Sequence, residues 1–147
     1  MSARRNVRSV GCVVAICVAL TSAASAERPA YQVIVHPDNP IDAIDAGFLR
    51  NAYLKKVGAW RSGVTIQPID LPSRIGARAD FVVDILKKTL PQLRNYWNQR
   101  VFSGKGVPPP QVDSVAAAIA YVLNHPGAVA YLPANASPGR AKVIEVR

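Results

Sequence analysis

The chain has 147 residues, with 18 lysines and arginines against 9 aspartates and glutamates, and a formal net charge of +9. This length fits one compact domain with a real hydrophobic core and excludes a second one. The two cysteines, Cys12 and Cys17, both lie near the N-terminus, which excludes a disulfide framework in the rest of the chain.

Residues 1–26 have the pattern of a secretory signal peptide. Three arginines precede an apolar run at residues 10–20, and small residues occupy positions 24–26. The pattern predicts cleavage after Ala26 and a periplasmic location. A retained membrane anchor is the alternative interpretation, but a spanning helix needs about 20 apolar residues and this run is shorter.

The predicted exported domain runs from Glu27 to Arg147. It has 121 residues, no cysteine and a net charge of +6. An exported basic domain rarely meets nucleic acid, so we expect acidic surfaces, phosphate-like anions or anionic lipid headgroups as partners. The alternative is that the charge only keeps the domain soluble.

The first half of this domain alternates between strand and helix patterns. A β-branched run predicts a strand at residues 31–35, and Asp45 is placed to cap a helix that continues to Tyr53. A second strand is predicted at residues 64–69. The next helix is predicted to begin at Ser73 or a neighbouring residue and to end near Lys88.

The second half continues the same alternation. Pro91 suits the first turn of a helix with an inward stripe, and Ser114 suits the cap of the next one. The predicted stripe consists of Leu93, Tyr96, Trp97 and Val101, and the last strands are expected at residues 128–132 and 143–146. The pattern predicts an α/β fold, with a central mixed sheet of about four strands flanked by helices.

Two arginines stand at the start of the predicted helix after Ser73. Arg74 and Arg78 are four residues apart, where the helix dipole penalises each cation by roughly 0.3 to 1 kcal/mol. One interpretation is that an anion lies between them and the exposed N–H groups of the helix start, near Gly76. The other is that both arginines point into solvent and tolerate this small cost. If they hold an anion, replacing both with alanine is predicted to abolish binding and to leave the thermal stability equal or slightly higher, because the dipole penalty and the mutual repulsion are relieved. Ser73 is interpreted first as a cap and second as a ligand donor.

A glycine-flanked lysine, Lys105, forms the second candidate anion site. The loop Ser103-Gly104-Lys105-Gly106 offers amides and one charge, but it lacks the spacing of a nucleotide cradle. A plain turn is the alternative.

Catalytic and metal-binding patterns are not recognisable. The chain has no Gly-x-Ser-x-Gly or His-Glu-x-x-His motif, and its two histidines, His36 and His125, have no partners at metal-ligand spacing. The sequence therefore predicts a non-enzymatic protein with no catalytic residue, no metal site and no cofactor.

The order of motifs resembles one lobe of the phosphate-binding proteins of ATP-binding-cassette importers, which are type II periplasmic binding proteins. The resemblance covers residues 31–132, and its most specific parts are the segment around Trp60 and the run Pro126-Gly127-Ala128-Val129-Ala130-Tyr131. It implies an α/β lobe that binds phosphate or a similar small anion. A membrane permease or a sensor protein is then the implied partner.

The phosphate-binding motif of this family is only partly kept. Counted back from Phe81, the family's Ser-Gly-Thr at a helix N-terminus falls on Ile75, Gly76 and Ala77, and its arginine falls on Leu71. Only the glycine of the motif is kept. The predicted ligand-binding residues are therefore this glycine, the polar and basic residues around it and the lysine of the second candidate site: Ser73, Arg74, Gly76, Arg78 and Lys105. On one open lobe the binding is expected to be weak. The alternative function is an interaction or sensory module that kept the lobe and lost the ligand.

Overall fold

The computed structural model describes residues 30–147, so the predicted signal peptide lies outside the described residues. Five strands form one mixed sheet in the order β2-β5-β1-β4-β3. The strands are β1 Tyr31–Val35, β2 Ala43–Ile44, β3 Gln67–Pro68, β4 Ala128–Pro133 and β5 Lys142–Val146. The α/β class with a mixed sheet is confirmed, with one strand more than expected.

The centre of the sheet is β1, whose apolar run is buried between two antiparallel neighbours. Val33 lies opposite Tyr131 of β4 and Ile144 of β5. The short outer strands β2 and β3 pair in parallel with β5 and β4. Strands buried on both faces read as continuous apolar runs, which is why β1 and β4 could be predicted from the sequence.

Within residues 30–147 four helices cover the sheet, and three of them have the side-chain caps that set their start. The helices are α1 Ala46–Tyr53, α2 Ala77–Asp84, α3 Leu90–Phe102 and α4 Val115–Asn124. The Asp45 carboxylate accepts from the Phe48 N–H at 2.8 Å, and the Ser114 hydroxyl accepts from the Ala117 N–H at 3.0 Å. Both predicted caps are confirmed. Thr89 forms a reciprocal capping box at the start of α3.

The segment between residues 64 and 88 differs from the prediction. The predicted strand 64–69 shrinks to β3, because its first residues turn back to pair with Ala59. The residues from Ser73 to Gly76 form tight turns instead of the first turn of the predicted helix. The helix α2 begins at Ala77, with Gly76 as its cap. Ser73 is therefore not the cap.

The core is built around a cluster of four aromatic rings between α1, α2 and the sheet. Phe81 stacks on Tyr131 with ring centroids 4.0 Å apart, and it meets Tyr53 and Tyr31 edge-on at 4.8 and 5.4 Å. Such contacts stabilise beyond the apolar area that they bury. The cluster fixes α2 against β4, and this contact positions the site described below.

The predicted inward position of Trp97 is confirmed, but the inward stripe of α3 is shorter than expected. Trp60 and Trp97 are buried, and Tyr96 is half-buried with its hydroxyl donating to the Leu54 carbonyl at 3.0 Å. Val101 is 52% exposed and Phe102 beside it is 96% exposed, so the last turn of α3 makes no core contact with these side chains.

Alkaline pH is expected to unfold the protein, and Tyr31 gives the cleanest test. Burial, with Asp84 and Asp80 nearby, raises the pKa of Tyr31 to about 12. The neutral phenol is thus favoured in the folded state. Its contribution to the free energy of unfolding is complete below pH ~10 and is lost as the pH rises towards 12.

We expect the free energy of unfolding of the parent to fall more steeply than that of Tyr31→Phe between pH 10 and 12. The expected difference is about 1 kcal/mol per pH unit, below the ideal ~1.4 because the phenol is only partly ionised in the unfolded chain near pH 10 and begins to ionise in the folded chain near pH 12. Urea titrations at several pH values measure both slopes. Parallel slopes would show that Tyr31 ionises as freely in the folded chain as in the unfolded one.

Candidate functional site

A cavity of about 580 Å³ opens between α3 and the chain that follows β3. Its polar lining consists of Asp70, Ser73, Arg78, Arg94, Asn98 and Gln111, and its apolar lining includes Leu93 and Trp97. We call it the α3 cleft. It combines two cationic side chains, Arg78 and Arg94, with one carboxylate, Asp70, and several neutral hydrogen-bonding groups, which leaves one uncompensated positive charge for a small polar anion.

The α3 cleft lies where β3 ends. The Ile69 N–H still pairs with the Val129 carbonyl at 2.9 Å, and the Asp70 N–H then turns to the Pro110 carbonyl at 3.0 Å. The proline segment is thereby held against Asp70 as a wall of the cleft. Ligands of α/β sheets gather at the carboxyl ends of strands, and the cleft has this location.

Asp70 and Arg78 form a two-pronged ion pair at the base of the cleft. The Arg78 Nε donates to the Asp70 carboxylate at 3.0 Å and its Nη2 donates at 2.8 Å, and each side chain is only 16% exposed. The carboxylate also accepts from the Leu71 N–H at 2.9 Å and from the Tyr131 hydroxyl. Asp70 is therefore saturated with donors and acts to hold Arg78.

The protonation of this network follows from its charges. Burial is the main cause that raises the pKa of Tyr131 far above its usual value, and the negative charge of Asp70 raises it further. The Tyr131 hydroxyl therefore stays protonated and acts as a donor. Burial alone would lower the pKa of Arg78, but its hydrogen bonds to Asp70 and the charge of that carboxylate outweigh burial and raise it. Arg78 therefore stays charged at neutral pH.

Arg78 keeps part of its donor set for a ligand. A guanidinium has five N–H donors. Asp70 occupies two of them and the Ser73 hydroxyl accepts a third at 2.9 Å, which leaves two N–H groups. The Ser73 O–H has no acceptor within residues 30–147. A fixed arginine with free N–H groups beside a serine O–H can bind one oxyanion.

The structure brings two of the predicted ligand residues together and separates the others. Ser73 and Arg78 both line the α3 cleft, whereas Arg74 and Gly76 do not. The Arg74 guanidinium donates to the Asp113 carbonyl oxygen instead of pointing freely into solvent. Gly76 caps α2 in helical conformation with open space around it.

Lys105 lies in the turn that ends α3, outside the lining of the cleft. The Gly104 and Lys105 amides donate to the carbonyls of Val101 and Arg100, at 3.1 and 2.8 Å. These amides are hydrogen-bonded to the last carbonyl groups of α3, at the negative end of the helix dipole. They are therefore not available to bind an anion. The geometry fits the plain-turn alternative, and a ligand role for Lys105 stays a prediction.

The sequence interpretation missed Arg94, Asn98 and Gln111. A signal existed for the first two, because Arg94 and Asn98 flank Trp97 on one helical face. Arg94 is exposed, and within the described residues it makes no ion pair. Gln111 donates to the Leu71 carbonyl at 3.0 Å, a long-range contact that no local pattern reveals.

The fold has clear counterparts among solved structures. An ABC-type phosphate transport receptor from Vibrio cholerae matches with a TM-score of 0.60 and 16% identity, over 80% of this chain and 46% of that one. PstS from Borrelia burgdorferi matches with a TM-score of 0.59 and 15% identity, over 80% and 47%. A Clostridium perfringens protein assigned as a phosphate ABC transporter substrate-binding protein, solved with bound phosphate, gives 0.61 and 16%, over 80% and 44%.

These matches define the class of protein by its fold. The chain has a solute-binding fold, and it spans less than half the length of the structures that it matches. More particularly, the fold is that of a single lobe of phosphate ABC transporter substrate-binding proteins, which confirms the resemblance seen in the sequence. No family model and no curated protein matches the chain significantly.

Two further observations concern residues 30–147. None of the helices in this range is long and apolar enough to cross a membrane. No three side chains of histidine, cysteine or carboxylate type in this range are grouped as metal ligands would be.

Proposed function

We propose that this protein is an exported, non-enzymatic binding domain for phosphate or a similar small oxyanion. Its proposed role is import or sensing, with a membrane permease or a sensor protein as partner. The solved structures of the same fold are phosphate-binding and transport proteins, which supports a binding role over an enzymatic one.

The observation that carries the proposal is the fixed Arg78 on the wall of the α3 cleft. Its ion pair with Asp70 orients the guanidinium before any ligand arrives, and the Ser73 hydroxyl stands beside it. Preorganised donors lose little conformational entropy on binding. Arg94 from α3 supplies the charge that Asp70 does not neutralise.

The expected affinity is weak, in the millimolar to high-micromolar range. The ligand would stay partly in contact with water on one open lobe, where salt screens the attraction. The loss of the family's serine and threonine donors at Ile75 and Ala77 acts in the same direction. These departures also favour the alternative function, an interaction or sensory module that retains the lobe without a ligand.

Calorimetry with inorganic phosphate tests the proposal. We expect millimolar or tighter binding at low ionic strength, about tenfold weaker binding in Arg94→Gln, and weakening by salt. Arg94 is exposed and makes no ion pair among the described residues, so thermal stability should not change. Arg140→Gln, an equally exposed arginine in the loop before β5, is the matched control and should bind like the parent.

The outcomes separate the two functions. Absence of phosphate binding in the parent would favour the interaction module, and equal binding in Arg94→Gln would move the site out of the α3 cleft. Export is tested separately. N-terminal sequencing of protein from the periplasmic fraction should begin at Glu27, and an intact Met1 in the cytoplasm would contradict export.

A further inference from the structure

We propose that the protein docks on anionic lipid bilayers through one basic, apolar-tipped arm. The arm consists of residues 85–112, which form α3 with the segments on either side, and we call it the α3 arm. The proposal rests on its charge and on its exposed tip. It does not depend on phosphate binding in the cleft.

Nearly all the net charge of the described chain lies in the α3 arm. The arm has five cations and no acidic residue, and it is bounded by Asp84 and Asp113. The other described residues have nine cations and eight acids. The arm cations are Lys87, Lys88, Arg94, Arg100 and Lys105, and none of them forms an ion pair within residues 30–147. These cations have no acidic partner within the described residues, so they can attract an anionic surface.

Two of these cations lie against one ring in the middle of α3, and a third follows in the turn after the helix. Lys88 Nζ lies 5.4 Å from the centre of the Tyr96 ring, and the Arg100 guanidinium lies 5.6 Å from it. Arg100 also donates to the Lys105 carbonyl at 2.7 Å, which places Lys105 beside it. The charge is thus concentrated rather than spread along the sequence.

The tip of the arm exposes apolar side chains that soluble domains normally bury. Phe102 is 96% exposed, Val107 is 65% exposed and Val101 is 52% exposed. Gly104 and Gly106 adopt positive φ and turn the chain between Phe102 and Val107. The capping bonds of Arg100 and Val101 hold this turn in place. An aromatic ring is therefore presented on a well-defined turn among cations.

A bilayer fits this surface better than a soluble protein. A stable protein interface buries roughly 800 Å² on each side, and a protruding tip of three apolar residues does not supply that area. An anionic membrane attracts each nearby lysine or arginine and accepts apolar side chains into its interface. A soluble acidic partner would use the cations and give no role to Phe102.

Vesicle sedimentation tests the proposal with the protein as cells produce it. The probes are vesicles of phosphatidylcholine alone and vesicles with an added third of phosphatidylglycerol. Because the N-terminal segment is common to all variants, differences between variants measure the arm. We expect Phe102→Ser and Lys105→Gln each to weaken partitioning onto the anionic vesicles by about fivefold.

The controls are an exposed valine of α2, Val83→Ser, and the loop arginine, Arg140→Gln, which should both bind like the parent. Insertion of the tip is tested with Phe102→Trp, whose indole should be quenched by brominated acyl chains, while Trp60 and Trp97 are buried and should not respond. Equal partitioning of Phe102→Ser and the parent would overturn the proposal. The proposal would also be overturned if the protein bound soluble polyglutamate as tightly as it binds the anionic vesicles and if Phe102→Ser left the polyglutamate binding unchanged. Such a result would indicate that the partner is an acidic macromolecule and not a bilayer.

Discussion

Arg78→Ala is expected to lower the free energy of unfolding by about 2 to 3 kcal/mol. The substitution removes a partner of an ion pair in which each side chain is only 16% exposed, and it leaves the Asp70 carboxylate without its counterion. The remaining donors to Asp70, the Leu71 N–H and the Tyr131 hydroxyl, compensate only part of that cost. Urea denaturation at pH 7 measures the difference.

Matched variants separate the ion pair from general effects of arginine loss. Arg74→Ala removes a contact with one backbone carbonyl and should cost less than about 1 kcal/mol. Asp70→Asn in the Arg78→Ala background should recover about 1 kcal/mol, because it removes the uncompensated charge. Arg78→Ala with parental stability would show that the pair is as solvated as an ordinary surface salt bridge.

This expectation reverses the one drawn from the sequence for the two arginines. The spacing of Arg74 and Arg78 suggested two repelling cations on the first turns of one helix, so that their removal would be neutral or stabilising. In the structure α2 begins at Ala77, and Arg74 lies in the preceding turn. Each arginine also has an internal acceptor. Pairing with Asp70 outweighs the dipole penalty, which is a few tenths to 1 kcal/mol.

The fold was predictable wherever one local signal sufficed. Buried apolar runs located β1 and β4, and Asp45 and Ser114 located two helix starts. The strands β2 and β3 have two residues each and exist only through pairing with β5 and β4. Such strands have no periodicity of their own. Their boundaries depend on tertiary contacts that the sequence does not display locally.

The candidate site was predictable only in part for the same reason. Ser73 and Arg78 were identified from their place around the start of the predicted helix, and the structure sets both on the α3 cleft. The role of Asp70 was missed because its partner stands eight residues away, beyond any helical spacing, and because Tyr131 comes from β4. Arg94 was missed because the cleft it lines forms only when α3 packs beside α2.

Gly127→Ala is expected to cost more than about 3 kcal/mol, which is the range of severe overpacking against backbone. A Cβ at this position would lie well inside van der Waals contact of the Thr65 carbonyl oxygen, and only 3.2 Å from Val64 Cγ1. Backbone cannot turn away as a side chain can. The Gly127 carbonyl also accepts from the Trp60 indole at 3.0 Å and from the Gln67 N–H at 2.9 Å, so moving Thr65 would strain the start of β3.

The measurement for Gly127→Ala combines urea denaturation with tryptophan fluorescence, because release of the Trp60 indole into water shifts its emission to the red. Gly58→Ala is the matched control, since a Cβ at Gly58 meets no atom within 4 Å. Its stability should stay within about 0.5 kcal/mol of the parent. Equal stability of the two variants would mean that the Thr65 segment relaxes without cost. The expected difference would instead show that glycine is required at position 127 for a steric reason, because the backbone there passes too close to Thr65 for any side chain.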